Sequence, residues 1–284
     1  MNSSPFCPVS KLESLLVATD RSEYSEGAVR EALQFARQCS SKVYVMSVIE
    51  PDPDVQYKSI GSRIFHDEEE ALQYLFSVKS QAAREGLSCE AFLRKGSKPH
   101  DLIVEEAIQR RVDMIILGRH GRRGLMKLLV GEVPAKVIGE APCKVLVVPK
   151  NAKGGCTTLL TCTDGSEHSM AAASEAIGIA KRCGSSLIAV SAARSQGETD
   201  LARSNVTRVT EMCNKEGLPV EAVTAVGKPC EVINRIAVSR DVTLIVVGTY
   251  GSAGLRKLLM GSTTEKVIGL ADCSVLVVRA PARA

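Results

Sequence analysis

The second half of this sequence is a copy of the first, and a repeat settles domain count before any propensity is weighed. The segment GRHGRRGLMKLLVGE at 118–132 lies without gaps on GTYGSAGLRKLLMGS at 248–262, so Gly118, Gly121, Gly124, Leu125, Lys127, Leu128, Leu129 and Gly131 all recur. The match continues through KVIG at 136–139 and 266–269, and through VLVV at 145–148 and 275–278. Upstream, LLVATDRSEYS at 15–25 pairs with LLTCTDGSEHS at 159–169, which sets Asp20 against Asp164. Length agrees, because 284 residues divide into two domains of ordinary size. The expected domains are 1–150 and 151–284, joined through NAKGGCT at 151–157, whose Gly154-Gly155 pair reads as a short linker.

Within each copy, short β-branched runs alternate with longer amphipathic segments, the pattern of βαβ units and a parallel sheet. The first copy predicts strands near 14–19, 42–49, 88–94, 113–117 and 144–148, with helices near 24–39, 68–85, 99–110 and 132–140. The second predicts strands near 157–162, 186–191, 219–224, 243–247 and 274–278. Each copy is therefore expected to be a complete doubly wound α/β domain. The second copy lacks the stretch 51–70, PDPDVQYKSIGSRIFHDEEE, which reads as a surface excursion near the ligand end of the first domain, a passive loop in preference to a mobile lid.

Composition removes several classes of function. A 45% hydrophobic and 24% charged chain is globular. Lys plus Arg exceed Asp plus Glu by only 36 to 32 and are scattered, so no nucleic-acid partner is expected. No apolar run approaches the ~20 residues that span a bilayer. The opening MNSSPFCPVSKLES has neither a basic nor an apolar leader region, so a cytoplasmic protein with no membrane partner is expected. The ten cysteines are dispersed with no C-x-x-C pair, and read as small buried hydrophobes in a reducing compartment.

In an open parallel sheet, ligands bind beyond the carboxyl ends of the strands where strand order reverses. Two such ends carry chemistry here: the first strand leads into Asp20 or Asp164, and the fourth ends at Gly118 or Gly248. The spacing G-x2-G-x9-G that follows can turn backbone amides inward, and its last glycine opens a helix whose N-terminus favours an anion. In the second copy Ser262, Thr263 and Thr264 add hydroxyls for phosphate oxygens. Against this stand plainer roles: Ser262 is also a good N-cap, and glycines also serve turns.

Taken together, D-x-S-E-x-S after strand one, G-x2-G-x9-G-[S/T] after strand four and a terminal V-L-V-V strand resemble the universal stress protein family in its tandem form, over residues 11 to 280. The resemblance implies a Rossmann-like five-stranded parallel sheet of order 3-2-1-4-5 in each domain, with ATP at the switch point in some members and no nucleotide in others. It would place Thr163 and Asp164 beside the ribose, the phosphates or a Mg ion, and Ala192 beside adenine. Gly248, Gly251, Gly261, Ser262 and Thr263 would surround the phosphates, AMP or ADP being further candidates. The matching, weaker set in the first domain is Asp20, Val48, Gly118, His120, Gly121 and Gly131. Because the family's last strands often meet at a dimer interface, KVLVV and SVLVV could form an intramolecular pseudo-dimer, with a homodimer also open.

The two sites differ. Glu132 and Val133 stand where the family pattern has hydroxyls, and a carboxylate there opposes a phosphate by Coulomb repulsion. Arg119, Arg122 and Arg123 crowd the same loop, so Glu132 pairing with one of them would fill the first site from within. A nucleotide-binding regulatory protein of the stress response is the leading expectation. No G-x4-G-K-[ST] loop is present, so ATP hydrolysis, ranked second, would be slow and would use Asp164 to hold the metal. A structural interaction protein without nucleotide ranks third.

Overall fold

The computed structural model describes residues 12–50, 60–120, 130–250 and 260–280, without the side chains of 60–66. The first copy folds as β1 (Ser14–Thr19), α1 (Glu23–Cys39), β2 (Lys42–Ile49), α2 (Ile60–Arg84), β3 (Cys89–Lys95), α3 (Pro99–Arg110), β4 (Met114–Gly118), α4 (Glu132–Glu140) and β5 (Lys144–Val148). The second repeats it as β6 (Thr158–Cys162), α5 (Glu167–Cys183), β7 (Ser186–Ala193), α6 (Thr199–Lys215), β8 (Val220–Val226), α7 (Pro229–Ser239), β9 (Leu244–Gly248), α8 (Ser262–Leu270) and β10 (Ser274–Val278). No helix among the described residues is long and apolar enough to cross a membrane.

These segments are strands because they are short apolar runs closed by turn residues, with both faces covered. Every position of β4, β9 and β10 is buried. Alternation assigns the faces: Met114 and Ile116 enter one core layer, Ile115 and Leu117 the other. Helices α1, α2, α5 and α6 close the first layer, and α3, α4, α7 and α8 close the second. Each layer runs without interruption from one domain into the other.

One expectation needs correction. Residues 60–67, assigned from sequence to a surface excursion, belong to α2, which starts at Ile60 and not near 68. The charged run HDEEE hid the helical period, although the segment from Ile60 to Arg84 contains no proline and only one glycine to interrupt a helix. Residues 51–59 lie outside the described part.

The strand order is β3-β2-β1-β4-β5-β10-β9-β6-β7-β8, so the described residues form one ten-stranded sheet. Each half has the order 3-2-1-4-5. All pairings are parallel except β5 with β10, which run antiparallel with Leu146 opposite Leu276. The two domains are thus related by an approximate two-fold axis through the centre of the sheet, and each covers the fifth-strand edge of the other.

Polar contacts cross this junction in reciprocal pairs. Lys144 Nζ meets Glu175 Oε1 at 2.9 Å, and at the symmetry-related place Ser274 Oγ donates to Glu31 Oε1 at 2.9 Å. Arg119 Nη1 donates to the carbonyls of Ile268 (3.3 Å), Gly269 (3.2 Å) and Ala271 (2.7 Å), and so caps α8 from the other domain. Arg279 Nη2 does the same for α4 through Ile138 O (3.2 Å) and Gly139 O (2.5 Å). The last carbonyls of a helix have no intrahelical donors and sit at its negative end, so a guanidinium suits both places.

Three outcomes follow for stability. Arg119→Ala leaves three carbonyls at the end of α8 without their donor, and urea titration should show a loss of about 1–3 kcal/mol. Arg279→Ala should cost less, because its carbonyls lie nearer solvent. Glu31 is only 5% exposed, and burial raises its carboxyl above the usual range against hydrogen bonds from Ser274 and Gly155 and the charge of Arg30. A raised folded-state pKa contributes stability that is present below about pH 4.5 and lost as pH rises through the folded value. The stability of Glu31→Gln relative to the natural chain should therefore improve from pH 4 to pH 7, and a pH-independent difference would exclude ionisation as the cause.

Candidate functional site

In the second domain β6 has β7 on one side and β9 on the other, and the chain turns to opposite faces of the sheet from these strands. The crevice beyond their carboxyl ends is bordered by the β6–α5 turn and the N-terminus of α8. The equivalent crevice of the first domain lies beyond β1 and β4.

The β6–α5 turn is built by hydroxyls. Thr163 is buried at 5% exposure; its Oγ1 accepts from Gly165 N–H at 3.0 Å and shares a hydrogen with Ser169 Oγ at 3.1 Å. Gly165 takes φ +80°, which brings Ser166 N–H to 3.1 Å from Asp164 Oδ1, and Ser166 Oγ then caps α5 at Ser169 N–H. Asp164 ends up exposed at the mouth of the crevice, while Thr163 is turned into the protein. Thr163 therefore positions its neighbour. The first domain repeats the turn with Thr19, Ser25, Asp20 and Ser22, except that Arg21 replaces Gly165 and holds φ +66°, and that Ser22 Oγ donates to Asp20 Oδ1 at 2.6 Å in place of capping α1. The Arg21 side chain, 7% exposed, reaches α2 and pairs with Asp67 Oδ1 at 2.5 Å, also donating to Asp67 O at 2.6 Å. The substitution is visible in the repeat alignment, but its partner in α2 is not.

At the end of β9, Gly248 has a role that spacing did not reveal. A Cβ there would lie 2.6 Å from the carbonyl carbon of His168, in the first turn of α5. A Cβ on Gly118 would likewise lie 2.6 Å from Tyr24 O. Both glycines admit a helix backbone against a strand end, and neither uses positive φ. The chain leaves at Thr249 and returns at Gly261, whose N–H donates to Thr249 O at 2.9 Å; in the first domain Gly131 N–H returns to Arg119 O at 3.0 Å. Gly121 and Gly251, with Arg122 and Arg123, lie outside the described residues.

The N-cap of α8 is Gly261, not Ser262, and it offers no side chain to the first-turn amides. Ser262 is exposed and Thr263 half-buried. Thr264 departs from the expectation of a phosphate contact: it is buried, and its Oγ1 donates to Gly248 O at 2.8 Å, tying α8 to β9. Ala192, near the end of β7, packs on the α7 and α8 side of the sheet, and Val48 takes the larger equivalent position in β2. The second crevice thus joins an uncapped helix N-terminus, two hydroxyls, a small wall residue and the Asp164 carboxylate. The helix N-terminus and the two hydroxyls are donors that suit an anion, whereas the Asp164 carboxylate is an acceptor suited to a hydroxyl or a cation. Among the described residues no group of three His, Cys, Asp or Glu side chains could hold a metal, so a cation there would need the ligand's own oxygens.

The first crevice is different. Glu132 heads α4, 78% exposed, with Lys136 Nζ 2.7 Å away holding its carboxyl below the usual range. Arg119 is committed to α8, which corrects the expectation that it could neutralise Glu132. His120 and Tyr24 meet edge to face at 6.5 Å, and the second domain exchanges the two residue types, with His168 against Tyr250 at 5.5 Å. Burial lowers the pKa of His120, with Arg119 adding to it, and burial also lowers that of His168, whose Nδ1 accepts from Ala280 N–H at 3.0 Å. Each imidazole meets a tyrosine ring, and the lowered pKa of each favours its neutral form.

Replacing Gly248 by Ala should destabilise the chain by about 1–3 kcal/mol in thermal or urea unfolding, because its Cβ would meet backbone that cannot move aside. Gly118→Ala should act in the same direction, and wild-type stability in both would refute the close approach.

A family model described as the universal stress protein family matches residues 11–149 and again 156–279. The universal stress protein MJ0531 of Methanocaldococcus jannaschii is 33% identical over 144 residues, 50% of this chain and 84% of that protein. The universal stress protein Rv2005c of Mycobacterium tuberculosis is 30% identical over 205 residues, 64% of this chain and 66% of that protein. The crystal structure of a universal stress protein from Archaeoglobus fulgidus shares the fold with a TM-score of 0.75 at 22% identity, over 95% of this chain and 100% of that one. With the family matched once in each half and over most of its length, this chain belongs to the universal stress protein family as a tandem of two such domains.

Proposed function

We propose that this chain binds one adenine nucleotide, ATP by preference, in its second domain and acts as a nucleotide-responsive regulatory protein of the stress response. The observation that carries the reading is the contrast between two equivalent helix N-termini. Both helices begin with a glycine cap, but α8 follows it with Ser262 and Thr263, whereas α4 follows it with the Glu132 carboxylate and Val133. An anion gains from the first and is repelled by the second. Asp164 is the residue to meet the ribose or a Mg ion carried in by the phosphates, and Ala192 leaves room for the base. Nothing in the proposal requires turnover.

A competing reading, an interaction protein without nucleotide, draws on the inward hydrogen bonds of Thr163 and Thr264, which remove two hydroxyls from the crevice. Isothermal titration of nucleotide-stripped protein with Mg-ATP separates the two. One site per chain that disappears in Gly261→Val is the expected result, with ADP and AMP titrations ranking the phosphates. No heat from any of the three would leave the interaction protein as the better account. In the Gly261→Val background, adding Glu132→Ser should create weak binding in the first domain; if it does not, Glu132 is not what closes that site.

A further inference from the structure

The ten cysteines look unrelated in sequence, yet two of them meet in the fold. Cys183 is the last residue of α5, and Cys156 lies two residues before β6, just after the Gly154-Gly155 linker. Strands β6 and β7 run parallel with Thr158 opposite Ser186, so the segments entering them lie side by side. Gly184 turns the chain out of α5 in the left-handed conformation, at φ +65°. Ser185 N–H then closes the helix on Ala180 O at 3.0 Å, Ser185 Oγ donates to Cys156 O, and Ser186 N–H donates to Thr157 O at 3.0 Å. These bonds hold both entrances together and bring the Cys156 and Cys183 side chains next to each other, close enough for one thiol to donate to the other.

We propose that Cys156 and Cys183 form a hydroperoxide-reactive pair, with Cys183 the sulfur oxidised first and Cys156 the thiol that resolves it to a disulfide. The division of roles follows from access. Cys183 is exposed, whereas Cys156 is half-buried against the core layer beneath α1 and α5.

Local chemistry points the same way. The hydrogen bond from Cys156 holds the Cys183 thiol below its usual pKa, with Ser185 and the Arg182 charge acting in the same direction against burial. The same hydrogen bond, with burial, raises Cys156. Elsewhere burial pushes Cys143, Cys162 and Cys273 up to about 12, which keeps them as unreactive thiols at neutral pH.

The steps balance with a hydroperoxide as oxidant. The Cys183 thiolate attacks the peroxide oxygen, the O–O bond breaks, and water or an alcohol leaves as Cys183 becomes a sulfenic acid. The Cys156 sulfur then attacks Cys183, the S–O bond breaks, and a second water leaves as the S–S bond forms. Two thiols are oxidised for one peroxide reduced, and a dithiol reductant restores the pair. The bond would fix the exit of the inter-domain linker to the end of α5.

The test uses the full, reduced chain. It is exposed to hydrogen peroxide, blocked with N-ethylmaleimide, digested with trypsin without reduction and mapped by mass spectrometry. Cleavage after Lys153, Lys181 and Arg182 places Cys156 in peptide 154–181 and Cys183 in peptide 183–194, and fragmentation distinguishes Cys156 from Cys162 in the former. The expected product is the 156–183 cross-link, formed before any change at Cys143, Cys162 or Cys273. With Cys156→Ser, a dimedone-trapped sulfenic acid should accumulate on Cys183, and with Cys183→Ser, Cys156 should stay reduced at the same dose. Oxidation of another cysteine ahead of Cys183, or oxidation of Cys183 in the natural chain without linkage to Cys156, would overturn the proposal. The natural-chain map needs no substitution, so a folding defect in either variant leaves the result decisive.

Discussion

Everything at the centre of this molecule depends on the antiparallel pairing of β5 with β10. Both strands are apolar, buried almost throughout, and end their own parallel sheets. An unpaired edge of this kind would leave a row of backbone donors and acceptors without partners, and would invite pairing with other chains. Joining the two edges satisfies both at once. It also imposes the approximate two-fold relation that brings equivalent helix ends and helix positions of the two domains to the junction.

That symmetry holds in the backbone and is relaxed in the side chains. Glu31 and Glu175 occupy equivalent helix positions, yet one is met by a serine and the other by a lysine. The helix ends capped by Arg119 and Arg279 are equivalent, although the arginines themselves come from different places in the repeat. The first follows a fourth strand and the second a fifth. Tyrosine and histidine exchange places between the two aromatic pairs. Divergence is strongest at the crevices, where Arg21 and Glu132 replace Gly165 and Ser262. One fold thus carries two strand-end crevices with side chains of different charge, an outcome open to a duplicated domain.

Much of the fold was legible because its signals are local. Strands announced themselves as short apolar runs between turn residues, and their observed ends fall within about two residues of expectation, as the alternation of faces requires. The start of α2 was missed where a charged run obscured the helical period. Of the candidate site, the topology places Asp164 after β6, Ala192 near the end of β7 and the opening of α8 after β9, all at the carboxyl edge of the sheet. Residue type alone did not reveal that the Thr163 and Thr264 hydroxyls bond within the scaffold, or that Gly118 and Gly248 make room for a helix.

The sequence by itself determined the duplicated α/β architecture, the places of the strand-end turns and the imbalance between the two crevices, since repeats, periodicity and turn residues act over short stretches of chain. Only the tertiary structure decided which edges join, which arginine caps which helix, that Thr264 faces inward and that Cys156 meets Cys183. Those contacts link residues as much as 243 positions apart, as in Ser274 with Glu31. Nothing in local spacing encodes them: those between the domains exist only once the fifth strands have paired, and those within the second domain only once its own elements have packed.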